Sequence, residues 1–260
     1  MNPWYSLKDK IIWVTGGAGY FGSAISTALD PLCRKVVCFD IGPRAEALVQ
    51  ERKLTKTIGL AHDLSDTLSL PAMIEATVAK HGLPDGVVHL PYASFGANKS
   101  MVDLAPEEFL KTFQQALIPT FVLCRNLAER MRARRSGSII LFSSMYGVVS
   151  PDPRNYPEPI KPNPIDYGAS KAAVLQMSRY LAVHYGPEAI RFNCITPGPF
   201  PHLSTQKDSP EFIQRLAERS PLRRIGQNPE IVGPTLFLLT DSASYVTGHN
   251  LVVDGGWTAW

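Results

Sequence analysis

Tyr167 and Lys171 stand four residues apart in Tyr167-Gly168-Ala169-Ser170-Lys171, a spacing that puts a phenol and an ammonium on one helical face. A phenol ordinarily titrates near pH ~10, and a neighbouring cation favours its ionised form, so such a pair suits proton transfer at a substrate hydroxyl. In a chain with nine tyrosines the spacing alone proves little. Its weight comes from Ser143-Ser144, which follow the apolar run Ile139-Ile140-Leu141-Phe142 and so emerge at the carboxyl edge of a sheet, where ligands of open α/β folds bind. There Ser144 can hydrogen-bond the substrate oxygen while Tyr167 handles its proton. Ser144, Tyr167 and Lys171 are therefore the candidate catalytic residues.

A second constellation lies near the start. Ile11-Ile12-Trp13-Val14-Thr15 runs directly into Gly16-Gly17-Ala18-Gly19-Tyr20-Phe21-Gly22, so the glycines fall where a buried strand turns into a helix. Glycine at 16 permits the tight turn, glycine at 19 lets the backbone approach a pyrophosphate, and glycine at 22 lets the helix pack against the sheet. Free amides at the helix start then face phosphate, which makes Gly16, Gly19, Tyr20, Phe21 and Gly22 expected cofactor contacts. Asp40 ends the next apolar run, Val36-Val37-Cys38-Phe39, where a carboxylate accepts hydrogen bonds from an adenosine ribose and repels a 2′-phosphate. The sequence thus favours NAD over NADP, with Arg44 as the residue that would serve a phosphate instead.

These residues need a scaffold. Short β-branched runs alternate with longer amphipathic ones, the pattern of an α/β, Rossmann-type doubly wound domain with helices on both faces of a parallel sheet. Seven strands are expected: Ile11–Thr15, Lys35–Asp40, Lys56–Leu60, Gly86–Leu90, Ser138–Ser143, Ile190–Ile195 and Leu251–Val253. Helices are expected over Tyr20–Leu29, Arg44–Glu51, Pro71–Lys80, Pro106–Arg135 with a break at Pro119, Tyr167–Tyr185, Glu211–Glu218 and Pro229–Leu239. No linker interrupts the 260 residues, so one domain spans 1–260. The stretch 148–166 carries six prolines and reads as a surface loop; with 198–225 it is expected to form the substrate loops.

Composition narrows the partners. A formal net charge of +3 is too small and dispersed to argue for nucleic acid, and Arg130, Arg132, Arg134 and Arg135 fall where cations suit a helix end. Cys33, Cys38, Cys124 and Cys194 lack the spacing of a metal site or a disulfide framework and read as core residues. No apolar run reaches the ~18 residues of a membrane span, so the expected compartment is the cytoplasm and the expected partner a small molecule. Trp257 and Trp260 close the chain, where burial usually needs a partner surface; a homodimer or homotetramer is expected.

Together these motifs resemble the short-chain dehydrogenase/reductase superfamily, over nearly the whole chain. The resemblance implies that Lys171 also holds the nicotinamide ribose, that Asp63-Leu64 contacts adenine, and that Pro197-Gly198 forms the turn beside the nicotinamide. The ending Val253-Asp254-Gly255-Gly256 resembles the compact branch. Tyr20 in the glycine run, Val88-His89-Leu90 and Asn163-Pro164-Ile165-Asp166 resemble the extended branch that handles nucleotide sugars. The family's asparagine on the helix before the catalytic strand aligns with Ala116, so the proton relay must be built differently; Gln115 is expected on another face. The resemblance implies NAD(H)-dependent interconversion of an alcohol and a ketone on a sugar-, polyol- or sugar-acid-like substrate, with Tyr92 and His202 within reach of it. A redox-neutral epimerase with bound NAD and a non-enzymatic dinucleotide-binding protein are the alternatives.

Overall fold

Along each central strand, successive side chains point to opposite faces, and both faces are apolar. Ile11, Trp13, Val37, Phe39, Val87, Ile139, Leu141 and Phe192 pack into one core, while Ile12, Val14, Val36, Val88, Ile140, Phe142 and Ile195 pack into another. A sheet buried on both sides must be covered by helices twice, which is what drives the doubly wound arrangement. In the computed structural model, which describes residues 3–260, the strands are β1 Ile11–Thr15, β2 Lys35–Asp40, β3 Thr57–Ala61, β4 Gly86–His89, β5 Gly137–Phe142, β6 Ile190–Pro197 and β7 Asn250–Val253. All pair in parallel in the order β3-β2-β1-β4-β5-β6-β7. The order reverses between β1 and β4, and a crevice opens there above the carboxyl ends.

Helices α1 Tyr20–Leu29 and α2 Arg44–Glu51 have the expected bounds, and α3 runs Leu70–His81. The long helix expected from Pro106 is divided. Helix α4 Pro106–Thr112 passes into a π-helical turn, Phe113–Leu117, before α5 Ile118–Arg132. Pro119 has no N–H to return to the preceding turn, and the widening falls just ahead of it. Helix α6 is Ile165–Tyr185, α8 is Pro210–Arg219 and α9 is Val232–Leu239, preceded by a 3₁₀ turn at Asn228–Ile231. Helix α7, Leu203–Asp208, was not anticipated because its sequence, LSTQKD, has no apolar period.

Two expectations change. The proline-rich stretch is not a surface loop throughout: Asn155 and Tyr156 are buried, and Val149 and Ile160 pack with Met145, Tyr146 and Trp257. Trp257 is 3% exposed within its own chain and needs no partner, whereas Trp260 is 64% exposed. The Arg219 guanidinium lies 5.5 Å from both indole rings and donates to the Trp260 carbonyl, while Trp260 Nε1 donates to the Arg219 carbonyl at 3.2 Å. The tail is thereby fastened to the end of α8. The four cysteines are buried and unpaired, as expected of core residues.

Leu127 is fully buried on α5 against the sheet. Leu127→Ala should lower unfolding stability in urea by about 2–5 kcal/mol. A loss under about 1 kcal/mol would show that this helix is not part of the cooperative core.

Candidate active site

Strand β5 ends at Phe142, and the chain leaves it in extended conformation at Ser144, φ −158°. Ser144 is buried and its Oγ accepts from the Tyr146 N–H at 3.2 Å, which fixes the hydroxyl just past the end of β5. Helix α6 begins two residues before Tyr167, so Tyr167 and Lys171 occupy its first turns on one face, as their spacing required. Tyr167 is partly buried; desolvation pushes its phenol up to about 12, and a hydrogen bond with Ser144 draws it partway back. The lysine does not bring the phenol down toward neutrality as the sequence suggested. Its Nζ sits 5.6 Å from the Tyr167 ring centroid, and the residue as a whole is only 5% exposed.

Burial drives the Lys171 ammonium down to about 8. It donates to the Pro91 carbonyl at 2.5 Å and the Phe142 carbonyl at 3.2 Å, which leaves its third proton for a ligand. Ser143 fixes the helix from the other side, donating to the Lys171 carbonyl at 2.8 Å. Ser143 therefore positions the lysine, a role hidden in the sequence because adjacent serines cannot be told apart by type.

The cofactor half lies beside this group. Gly16 adopts φ +66°, and a Cβ on Gly22 would collide with the Gly16 carbonyl and the Gly17 backbone, so the turn tolerates glycine alone. Asp40 accepts from Ala18 N–H and Ile41 N–H, each at 2.9 Å, and pairs with Arg44 at 3.1 Å. One carboxylate thus braces the glycine turn and still has lone pairs to offer a ribose. A cavity of about 640 Å³ joins the halves, within the ~300–1,000 Å³ usual for ligand sites. Gly16, Gly19, Tyr20, Phe21, Gly22, Asp40, Asp63, Leu64, Tyr167 and Lys171 all line it. These residues fit a dinucleotide: a glycine cradle for phosphate at one end, a carboxylate beyond it, and a phenol with an ammonium at the other.

Pro197 and Gly198 do not line that cavity; they sit at the end of β6, where the Gly198 N–H donates to the Val253 carbonyl. Ser144 is also set back from the wall and reaches the crevice through Tyr167. The π-helical turn brings both Gln115 and Ala116 to the wall, so Gln115 does not face elsewhere. A wider turn rotates neighbouring residues less, which no ordinary helical period can anticipate. Tyr92 is 75% exposed with its ring 6.0 Å from that of Tyr167. His202 stacks on Tyr20 at 4.4 Å, and the Tyr20 hydroxyl donates to the Pro201 carbonyl, so Tyr20 props the start of the 198–225 segment. His62, Ser65 and His89 also line the cavity; only His89 carried a signal, as part of Val88-His89-Leu90.

The profile of a family described as enoyl-(acyl carrier protein) reductase matches residues 21–258. This chain belongs to the short-chain dehydrogenase/reductase superfamily. The enzyme is similar to a cyclopentanol dehydrogenase of Comamonas sp. (strain NCIMB 9872), 31% identical over 259 residues that cover 97% of this chain and 98% of that one. It is also similar to a probable galactose dehydrogenase of Rhizobium meliloti, 28% identical and covering 96% and 95% of the two chains. A short-chain dehydrogenase from Leptospira borgpetersenii solved with bound NAD+ superposes with a TM-score of 0.85 at 28% identity, covering 99% of this chain and 96% of that one. The enzyme is accordingly an oxidoreductase acting on alcohols with a nicotinamide dinucleotide as cofactor.

Gly22→Ala must push α1 off the glycine turn. Affinity for NADH, read by fluorescence titration, should fall by roughly tenfold or more. Unchanged affinity would mean that this turn does not hold the cofactor.

Proposed function

We propose that the enzyme is NAD(H)-dependent and interconverts a secondary alcohol and a ketone on a small polar substrate of the sugar, polyol or sugar-acid kind. One observation carries this reading: the Tyr167 phenol lies within the influence of Ser144 at the carboxyl edge of the sheet, with the buried ammonium of Lys171 5.6 Å from the phenol ring. When bound, the dinucleotide supplies the donor or acceptor of a hydride. Ser144 orients the substrate oxygen, and Tyr167 moves the proton on that oxygen. Burial keeps the phenol protonated at neutral pH, ready to donate during ketone reduction. To accept a proton during alcohol oxidation the phenol needs more positive charge than Lys171 alone brings to it, which a bound oxidised nicotinamide would add, while Lys171 offers its free proton to the nicotinamide ribose.

Asp40 supports the preference for NAD. A 2′-phosphate would meet its carboxylate, and Arg44 would have to leave its 3.1 Å pairing with Asp40 to serve that phosphate. Residues 148–166 and 198–225 form the substrate walls in this reading, with Tyr92 and His202 at the rim. The relatives named for cyclopentanol and galactose support an alcohol carbon as the reacting centre, and the polar rim supports a hydroxylated substrate. Assembly as a homodimer or homotetramer belongs to the same proposal, with Trp260 as the exposed aromatic.

A panel of polyols, sugars and sugar acids, followed by NADH absorbance, tests the reading directly. Tyr167→Phe should bind NADH with unchanged affinity and lose at least about a hundredfold in kcat, the usual size of a general acid–base contribution. Near-normal turnover in that variant would remove the assignment. Asp40→Ala should weaken NAD binding and narrow the NAD-over-NADP preference by about tenfold; an intact preference would mean that another group reads the ribose.

A further inference from the structure

A histidine that the proposed chemistry does not use lies in the wall of the crevice. His89, the last residue of β4, is 2% exposed, with Nδ1 at 2.6 Å from Thr15 Oγ1 and Nε2 at 2.8 Å from Thr120 Oγ1. Thr120 Oγ1 in turn lies 2.6 Å from the Ala116 carbonyl oxygen. A carbonyl only accepts, so the single Thr120 proton is committed to Ala116, and the Thr120 oxygen must accept from His89. Nε2 therefore carries the imidazole proton. Burial, with the Lys171 charge adding to it, pushes His89 down to about 3, so the ring is neutral and Nδ1 is bare. Nδ1 then accepts from the Thr15 hydroxyl, and every member of the chain has one assigned direction.

Each end of this chain meets a part of the site. Thr15 precedes Gly16, the first residue of the cofactor turn. Ala116 lies in the π-helical turn that lines the crevice, at the position where the sequence lacks the family's asparagine. In the middle, His89 ends the strand two residues before Pro91, whose carbonyl takes a proton from Lys171. We propose that His89 is a positioning residue of the proton-transfer site: through Thr15 and Thr120 it locks the end of β4 and the Ala116 carbonyl, and so sets where Lys171 is held. This rests on the assignment of Tyr167 and Lys171 above.

The variants that test it are His89→Leu, His89→Gln, Thr120→Val and the double variant His89→Leu/Thr120→Val, each measured for NADH affinity by fluorescence and for kcat and KM. His89→Leu and Thr120→Val should each lower kcat by about tenfold while NADH affinity changes less than about threefold. Gln offers an acceptor and a donor in place of the two ring nitrogens, so His89→Gln should recover most of what Leu loses. The double variant should be about as slow as the slower single one, because both break one chain. If His89→Leu fails to bind NADH through misfolding, Thr120→Val, which removes only a hydroxyl, decides. Retention of kcat within about twofold by a cofactor-binding single variant, or multiplicative losses in the double one, would overturn the proposal. Nitrogen NMR of the labelled wild-type enzyme needs no substrate and so separates this proposal from the assignment it rests on. The His89 ring should show a neutral Nε2–H form throughout the neutral range; an Nδ1–H form, or titration there, would overturn the chain's direction whatever Tyr167→Phe does.

Discussion

A charged ammonium inside a protein is costly unless its protons are taken, and Lys171 is nearly fully enclosed. Its hydrogen bonds to Pro91 and Phe142 resolve that cost with backbone carbonyls from just past β4 and from the end of β5. The lysine can be satisfied only when those two strands and α6 are all in place, so forming the charge site and closing this part of the sheet are one event. The same requirement fixes the lysine's height above the sheet, because carbonyls at strand ends move only with their strands. Tyr167, one turn earlier on α6, inherits that placement.

Around this point the molecule repeatedly gives one group two tasks. Asp40 braces the glycine turn through Ala18 while lining the crevice. Tyr20, which stands where the compact pattern has a glycine, lines the crevice and also supports the segment after β6 through Pro201 and His202. Asp166, adjacent to Tyr167 and fully buried, gathers the N–H groups of Phe95 and Gly96 and the hydroxyls of Ser94 and Thr112, tying the loop after β4 to the first turn of α6. Shared groups of this kind make the crevice stiff without a large supporting shell.

The sheet was legible in the sequence because its signal is local. A β-branched run that ends in glycine or aspartate marks a buried strand and its carboxyl end together, and six of the strands needed no more than a one-residue change at either end. The glycine turn and the placement of Tyr167 and Lys171 on one helical face were legible for the same reason, since both are written in contiguous residues. What escaped depends on distant contacts. The burial that raises the Tyr167 phenol, the part played by Ser143, the π-helical turn that delivers Gln115, and the polar helix α7 all arise from packing that no window of sequence contains.

The Arg219 side chain, held between two indole rings, anchors one end of the segment after β6. Near Arg219 the segment is riveted by stacking and by reciprocal hydrogen bonds to the tail. At its other end Tyr20 holds Pro201 and His202, and Gln206 Nε2 donates to the Pro201 carbonyl. Between them, Ser209 breaks the helical path at φ −138°, ψ 62°. Anchored at both ends and broken at Ser209, the segment meets the crevice as two short helices, with Phe200 and His202 in the wall.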